Sequence, residues 1–515
     1  MDTQQERLEQ ALGKLKTQPA DDVIELLKDR ANLLRKKPFT RGGRIRNYNP
    51  QKDVRLGQYI QARPSAIQQH VITQDQYVAE LDPYMHEVLF DENIPSICVK
   101  LKDGGYKEIK FVKTAIPIQQ SIVEKQTLHM SGLPMKFTLA DKKPTEVMQE
   151  LFVTYKHYWD LRNQDGMKTK FVEAAKSYGD AGLLYYFDRK GCIKSRLLSY
   201  KDGYVICSHD DDNGDRILEV VFYNNNGSEY IDCYDETYLY RFMSTPLDDK
   251  IEIQIEPHGF DEIPLITKRT TVAWDKGQFL AQSYEILYNI FQVLQKKWGW
   301  GMLYVKGRID PNAQKIAGNI VLNDTSIEGK GDAKFLEPPS PQNMIDTLDK
   351  IFDQIQIATG TTFILPKDIH TSSDTSGIAV QMTQSLDIQT AKNGIVEWQN
   401  VADKMVRLFK QGLAKELVDK GVMANAITEF AKININASFD VWQPYSESEY
   451  NQMLTTMKNA GILSMTTAVE QNTISRPDEV ERINKEKEIA QTQELEKLRQ
   501  TQEINNSNSN IDNQE

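Results

Sequence analysis

The sequence predicts an α+β fold, mostly α, built from two or more folding units. Three observations predict it. At 515 residues the chain exceeds what one hydrophobic core usually supports. Apolar residues recur at helical spacing over long stretches near 275–298, 341–358 and 378–418. Between about 181 and 243 they alternate instead, around turn pairs such as Asn213-Gly214 and Asn226-Gly227, the pattern of antiparallel hairpins.

Residues 1–37 read as a polar helix, with Leu8, Leu12 and Leu15, then Val23, Leu26, Leu27, Leu33 and Leu34, as its apolar positions. A basic stretch follows: Arg35, Lys36, Lys37, Arg41, Arg44, Arg46, Lys52 and Arg55, interleaved with Phe39 and Tyr48. Pro38, Gly42 and Gly43 break the helix, which makes this an exposed arm. Two readings stand side by side, a solvated linker and a contact with nucleic acid or an acidic partner. Residues 68–135 mix helix with short strands, Ile94–Leu101 and Tyr106–Val112, about an Asp103-Gly104-Gly105 turn. Residues 144–178 read as one helix with Val147, Leu151, Tyr155, Tyr158 and Leu161 on one face. The meander strands are Leu183–Phe187, Tyr204–Ser208, Ile217–Tyr223, Glu229–Tyr234 and Thr237–Met243.

Beyond Pro264-Leu265-Ile266 the character changes to long helices. The first, 275–298, carries Leu280, Tyr284, Leu287, Phe291, Leu294 and Trp298, widened by Phe279, Ile286, Ile290 and Val293. A helix apolar over so much of its circumference needs neighbours on more than one side. A compact β insertion follows, Leu303–Lys306, Ile320–Leu322 and Lys334–Leu336. A second helix spans 341–358, with Ser340 as N-cap and Pro341 at its first position. Its apolar stripe is Met344, Leu348, Ile351 and Ile355, helped by Phe352; Asp346, Asp349, Asp353 and Gln356 share the opposite face. Residues 359–377 form a Thr-, Ser- and Asp-rich loop. A very long helix from about 378 to 418 then carries Ala391, Ile395, Trp398, Ala402, Met405, Phe409 and Leu413. Ser446 and Glu449 form a capping box for a helix to about 459, residues 476–503 read as a charged helix, and the Asn- and Ser-rich tail from Asn505 as disordered.

Hydrophobic residues make up 40% and charged residues 26%, ordinary for a globular chain. No run of about 18 apolar residues exists, so no spanning helix is expected. The opening Met-Asp-Thr-Gln-Gln-Glu resembles no leader, so a cytoplasm-like compartment is expected. Cys98, Cys192, Cys207 and Cys233 stand far apart and form no CxxC pair, which leaves them as reduced thiols. A net charge of -11 argues against a DNA-coating protein, because duplex affinity comes mainly from Lys and Arg. A protein can still handle DNA at this charge if it must let the DNA slide.

Signatures of chemistry are sparse. His70, His86, His129, His157, His209, His258 and His370 form no HExxH pattern, and neither a phosphate loop nor a nucleophile elbow occurs. Gly329-Lys330-Gly331 lacks the spacing and hydroxyl of a phosphate loop. The acidic run His209–Asp215 suggests a calcium loop, but Gly214 at its sixth position puts His209 and Val220 where oxygen ligands belong, so it reads as an acidic hairpin tip. No cofactor and no metal site is expected.

From about 260 to 490 the ordered parts resemble the tailed-phage portal family. These are Asp261-Glu262-Ile263-Pro264-Leu265-Ile266 before a long helix, a short β insertion ending in Lys334-Phe335-Leu336, the second helix, the Thr361–Gly377 loop, and a long helix opening at Ser376-Gly377-Ile378-Ala379. Lys458–Ser464, with Thr467-Ala468 and Pro477-Asp478-Glu479, resembles the family's C-terminal signature, and Ser177–Gly182 also fits. The resemblance implies a portal fold assembled as a dodecameric ring. It divides the chain into an arm (1–60), an α+β wing (61–270), a first stem helix (271–302), a clip (303–339), a second stem helix (340–360), a tunnel loop (361–377), a long wing helix and strand (378–444), a helical crown (445–503) and a tail (504–515). It implies a non-enzymatic channel at one capsid vertex of the virion, assembled in the host cytoplasm, through which double-stranded DNA is packaged and ejected. Its partners would be the major capsid protein, terminase and head-tail adaptors, with no membrane. By that similarity Asp346, Asp349, Asp353 and Gln356 would line the tunnel, and Lys367, Thr371, Ser372 and Ser373 would touch DNA. In the arm, Arg35, Lys36, Lys37, Arg41, Arg44 and Arg46 match no family motif. The competing readings are a metal-dependent nucleic-acid-processing enzyme and another virion component, such as a head-completion protein.

Overall fold

The computed structural model describes residues 39–42, 69–72, 74–91, 97–100, 106–109, 112–141, 143–210, 214–225, 228–245, 248–298, 302–306, 315–316, 319–320, 332–336, 341–363, 382–443, 447–472 and 479–492 except 481 and 490. The chain divides into two compact units: residues 1–363 with 386–442, and residues 364–385 with 443–515. The fold is mixed α and β, with long helices and several small antiparallel sheets.

In the first unit, β1 (Phe39–Gly42) pairs with β2 (Gln69–Ile72), and β3 (Ile97–Lys100) with β4 (Tyr106–Ile109), both antiparallel. The short helix α1 (Gln74–Leu81) precedes α2 (Ile118–Ser131), which is buried on nearly every side. The predicted helix over 144–178 is two helices, α3 (Glu146–Leu161) and α4 (Gln164–Tyr178). Asn163 breaks them in the left-handed conformation, at φ 48°, which Asn tolerates better than most residues. The glycine at 166 allows the close turn, because a Cβ there would lie 2.6 Å from Asn163 Oδ1. The break also changes the face that α3 buries. Leu151, Tyr155 and Trp159 point inward, whereas Val147 and Leu161 are exposed.

That face meets α7 (Ser385–Asp419), which runs through the main core. Ala391, Trp398, Ala402, Met405, Phe409 and Leu413 are buried as the periodicity predicts, and Ile395 packs at the margin. The helix starts later than its apolar pattern, and 378–381 lie outside the described residues. Phe409 meets the Trp159 ring at 5.2 Å and the Tyr155 ring at 5.5 Å, both edge-on, and Phe137 closes the group from β5 (Lys136–Leu139). Edge-to-face packing suits the aromatic quadrupole and adds to the area these rings bury.

The predicted meander resolves into two sheets. β6 (Asp180–Phe187), β7 (Ile193–Ser199) and β13 (Leu265–Arg269) form one, in the order β13-β6-β7. The other is a continuous meander of β8 (Val205–Asp210), β9 (Arg216–Asn225), β10 (Ser228–Tyr234), β11 (Tyr238–Thr245) and β12 (Asp248–Pro257). Its alternation splits the side chains between two clusters. Leu218, Val220 and Phe222 join a cluster drawn from this sheet alone, while Val221 and Tyr234 face Leu198 and Leu265 of the three-stranded sheet.

Two helices pack against each other, α5 (Gln278–Trp298) and α6 (Gln342–Thr359), with small hairpins between them in sequence. In the latter, β14 (Met302–Lys306) pairs with β17 (Asp332–Leu336), and β15 (Lys315–Ile316) with β16 (Asn319–Ile320). After α7 come α8 (Ala426–Ala431) and β18 (Ile435–Ser438), which pairs with β5. In the second unit, α9 (Glu447–Asn459) and α10 (Met465–Gln471) are joined by a turn through Gly461, and Ser464 caps α10 by accepting from the Thr467 amide. Ser446, of the predicted capping box, lies outside the described residues. No helix among the described residues is long and apolar enough to cross a membrane.

Candidate functional site: an acidic helix face and its seat

The acidic face predicted on 341–358 lies on α6. This helix begins one residue later than its sequence suggests, with Pro341 at the cap, and Ser340 lies outside the described residues. Leu348 and Ile355 are buried, and Ile351 and Phe352 pack beside them toward α5, where the Phe352 and Tyr284 rings meet at 5.8 Å. Asp346, Asp349 and Asp353 are exposed on the other side. They cover about 10 Å of helix axis at 1.5 Å per residue. Lys350 is the one cation of the helix, so its net charge is negative. Asp349 acts on its neighbour: burial, then this carboxylate, pushes the Tyr284 phenol up.

Gln356 differs from the three carboxylates. It is half-buried, its Oε1 accepts from the Phe363 amide at 2.6 Å, and its Nε2 donates to Asp353 Oδ1 at 3.3 Å. Its side chain therefore ties the end of α6 to the chain that follows. Gly360, left-handed at φ 65°, ends the helix, and the Thr361 amide donates back to the Gln356 carbonyl.

The seat of this helix pair was not visible in the apolar pattern. On α5 the fully buried face carries Gln278, Ala281, Glu285, Asn289 and Val293, whereas Leu280, Tyr284, Leu287 and Phe291 are only half-buried. Asn289 binds both backbone groups of Thr114, accepting from its amide at 2.7 Å and donating to its carbonyl at 2.8 Å. Glu285 Oε1 accepts from the Ile116 amide at 2.7 Å and meets His86 Nδ1 at 2.6 Å. The second ring nitrogen of His86 faces the Glu80 carbonyl at 2.9 Å, and the Glu80 side chain accepts from Trp274 Nε1 at 2.9 Å. Residues 112–117 form no strand, so these side chains supply partners that a sheet would otherwise give. Buried polar groups so satisfied fix one geometry, where an apolar face would tolerate several.

The other predicted residues divide by position. Lys367, Thr371, Ser372 and Ser373 lie outside the described residues, as do Arg35, Lys36, Lys37, Arg44 and Arg46. Arg41 is in β1, where its backbone pairs with His70. At the acidic hairpin, Asp210 and Glu219 both pair with Arg216, and 211–213 lie outside the described residues. Among the described residues no group of three or more His, Cys, Asp or Glu side chains is placed to hold a metal ion. Cys192, Cys207 and Cys233 form no disulfide; burial pushes the Cys233 thiol up, and Cys192 accepts from Lys420 at 3.0 Å.

A cleft of about 550 Å³ opens between the two sheets, lined in part by Tyr185, Tyr204, Tyr223, Arg196 and Arg241. Two of the charges that line it pair with each other. Asp232 takes Arg241 in a two-point bond at 2.8 and 2.9 Å and accepts from Tyr223 at 3.2 Å. The cleft is thus a polar seam of the fold.

The family model described as phage portal protein, SPP1 Gp6-like, matches residues 74–493. No curated protein matches the chain. Among solved structures, one chain of "Neck of empty GTA particle computed with C6 symmetry" matches with 11% identity and a TM-score of 0.37, over 68% of this chain and 88% of that one.

Proposed function

The chain belongs to the phage portal protein family, SPP1 Gp6-like, and from that premise we propose that it assembles as a dodecameric ring at one capsid vertex, around a channel for double-stranded DNA. It is a portal protein, a structural component of the virion of a tailed phage. In this reading α5 and α6 are the stem, β14 to β17 the clip that meets terminase and later the head-tail adaptors, 361–377 the tunnel loop, α7 part of the wing, and 445–503 the crown. Assembly takes place in the host cytoplasm, against the major capsid protein, and the protein performs no chemistry itself.

The observation that carries the channel reading is the exposed row of Asp346, Asp349 and Asp353, set opposite the apolar stripe that seats α6. Around a ring the row becomes stacked circles of carboxylate. Phosphates passing within a Debye length, about 8 Å at physiological salt, are repelled, so DNA slides without sticking. Gln356 adds a neutral polar group to the end of this row. In the tunnel loop Lys367, with Thr371, Ser372 and Ser373, makes transient contacts with phosphate. For the arm, Arg35, Lys36, Lys37, Arg41, Arg44 and Arg46 supply the charge for an acidic or nucleic-acid surface.

Electron microscopy of the purified full-length protein tests the ring: end-on views with an axial hole are expected, and particles without one would refute it. Incubation with duplex DNA and magnesium or manganese is expected to leave the DNA intact; cleavage would favour a metal-dependent enzyme. The acidic row is tested by Asp346→Lys, Asp349→Lys and Asp353→Lys together, which should slow packaging; unchanged packaging would remove its role. Packaging and ejection left intact by Lys367→Ala would remove the loop contact.

A further inference from the structure

The chain passes from its first unit to its second after Phe363, returns at Leu386, and leaves again after Trp442. On the side of the first unit, all three passages are held by α2. Gln126 Nε2 donates to the Thr359 carbonyl at 2.8 Å and to Thr361 Oγ1 at 3.0 Å. Lys125 pairs with Asp387 at 3.4 Å and lies 5.8 Å above the Phe363 ring. Asp387, buried, accepts in turn from the Thr362 amide at 3.0 Å. His129 Nδ1 donates to the Trp442 carbonyl at 3.0 Å, the Trp442 amide donates to the His129 carbonyl at 2.9 Å, and the two rings meet edge-on at 5.1 Å.

Helix geometry makes this possible. Positions 125, 126 and 129 fall within one turn and about 100° of arc, so a single face reaches all three passages. The gripping groups are oriented from behind. Lys176 Nζ donates to Gln126 Oε1 at 3.0 Å, which leaves the Gln126 amide nitrogen to face Thr359 and Thr361. Burying a polar side chain costs free energy unless its bonds are made, and Gln126 and His129 lie on the buried side of α2, where these bonds offset that cost. The direct bond between Thr362 and Asp387 couples two passages by itself. No direct bond is needed for the third, because α2 is a rigid element common to all.

We propose that α2 is a positioning node: Lys125, Gln126 and His129 set Thr361–Phe363, Asp387 and Trp442 as one cooperative group, so that loosening one passage loosens the others. A change of strain where the chain leaves at Trp442 is thereby transmitted to the end of α6, and the reverse. The proposal does not depend on ring assembly or on DNA.

Amide hydrogen exchange of the full-length protein tests it, read at 361–363, 386–390 and 440–443, with 401–417 in the core of α7 as the reference for global opening. Gln126→Leu removes the bonds to Thr359 and Thr361. It also removes the acceptor of Lys176, and it is expected to speed exchange at least about tenfold at 361–363 and also several-fold at 440–443, with 401–417 unchanged, as loss of these bonds would give. His129→Phe keeps the ring, removes the bond to Trp442, and should speed 361–363 in return. Lys125→Gln, at a partly exposed side chain outside the apolar core, keeps the test open should a buried variant unfold; it should speed both 386–390 and 440–443. Acceleration confined to each variant's own passage would overturn the proposal, and so would equal acceleration at 401–417 in Lys125→Gln.

Discussion

Glu416 sits near the end of α7 with a fully buried carboxylate that joins three parts of the first unit. Its Oε1 accepts from Arg162, beside the break between α3 and α4, at 2.8 Å and from Lys420 at 2.6 Å. Its Oε2 accepts from the Ile193 amide, which opens β7, at 2.8 Å. Glu416→Gln preserves the shape but replaces one acceptor with a donor facing two cations. A hydrogen bond to a charged group contributes about 1.5–3 kcal/mol. Breaking a wholly buried pair costs about 3–5 kcal/mol. Arg162 and Lys420 are 21% and 38% exposed, so water recovers part of the loss, and about 2 kcal/mol is expected. Glu416→Ala also strands the Ile193 amide and should cost about 1–2 kcal/mol more. Burial pushes the Glu416 carboxyl up, but Lys420, the Ile193 amide and Arg162 outweigh it and hold the group below its ordinary 4.5. A carboxyl lowered by folding adds stability that is complete above the unfolded value and disappears as pH falls through the folded one. The gap between wild type and Glu416→Gln should therefore close in acid. Urea unfolding at pH 7 and through the range below 4.5 measures both quantities. A variant within about 0.5 kcal/mol of wild type at pH 7, or a gap unchanged in acid, would refute the reasoning.

Three further outcomes follow from single contacts. Gly412→Ala gains about 1 kcal/mol of helix propensity, yet its Cβ would overlap Ile193 Cδ1 and lie 2.9 Å from Cγ1 in the core, so net destabilisation of about 1–2 kcal/mol is expected in thermal unfolding. Asn163→Val should cost about 1–2 kcal/mol at the left-handed break, whereas Asn163→Gly should be close to neutral; equal losses would argue against backbone strain. Burial holds the His129 ring below its ordinary 6.5, with the Trp442 carbonyl and Asp387 opposing and Lys125 assisting. The folded state thus favours the neutral ring, and its contribution is complete above 6.5 and lost as pH falls toward the folded value. His129→Gln should flatten that limb of the stability profile, with the His258 contribution remaining, since burial lowers that ring too.

What could be read from sequence was what apolar periodicity records. The stripe of α7 and the apolar side of α6 follow from one spacing each, and the Asn-Gly pairs mark hairpins locally. The seat of α5 could not be read this way, because Glu285 and Asn289 are polar and count as exposed in any such pattern. Their burial is set by the Thr114 and Ile116 amides, which belong to no strand and bond to these side chains across separations of 175 and 169 residues. The break at Asn163 was missed for a related reason: apolar residues continue on both sides, and only one permissive residue with a glycine beyond it marks the turn. In β12, the alternation of Ile251, Ile253 and Ile255 was legible, but the strand lies past the last turn pair that drew attention to the meander.

The acidic row on α6 does little for the subunit that carries it. Asp346 and Asp349 are three residues apart, and Asp349 and Asp353 four, so each pair repels along the helix by about 0.2–0.5 kcal/mol. Their bonds to Gln342 and Gln356 are exposed and recover little. The seat of α6 is meanwhile made by Leu348, Ile355 and Phe352, with α5 pinned behind it through Glu285 and Asn289, and none of these contacts needs the acidic row. Replacing Asp346, Asp349 and Asp353 together with Asn should therefore leave the subunit as stable as wild type or raise its stability by up to about 1 kcal/mol in urea unfolding. A loss above about 1 kcal/mol would mean that the carboxylates hold the helix in place. With no loss, the carboxylates contribute nothing to holding the helix in the folded subunit.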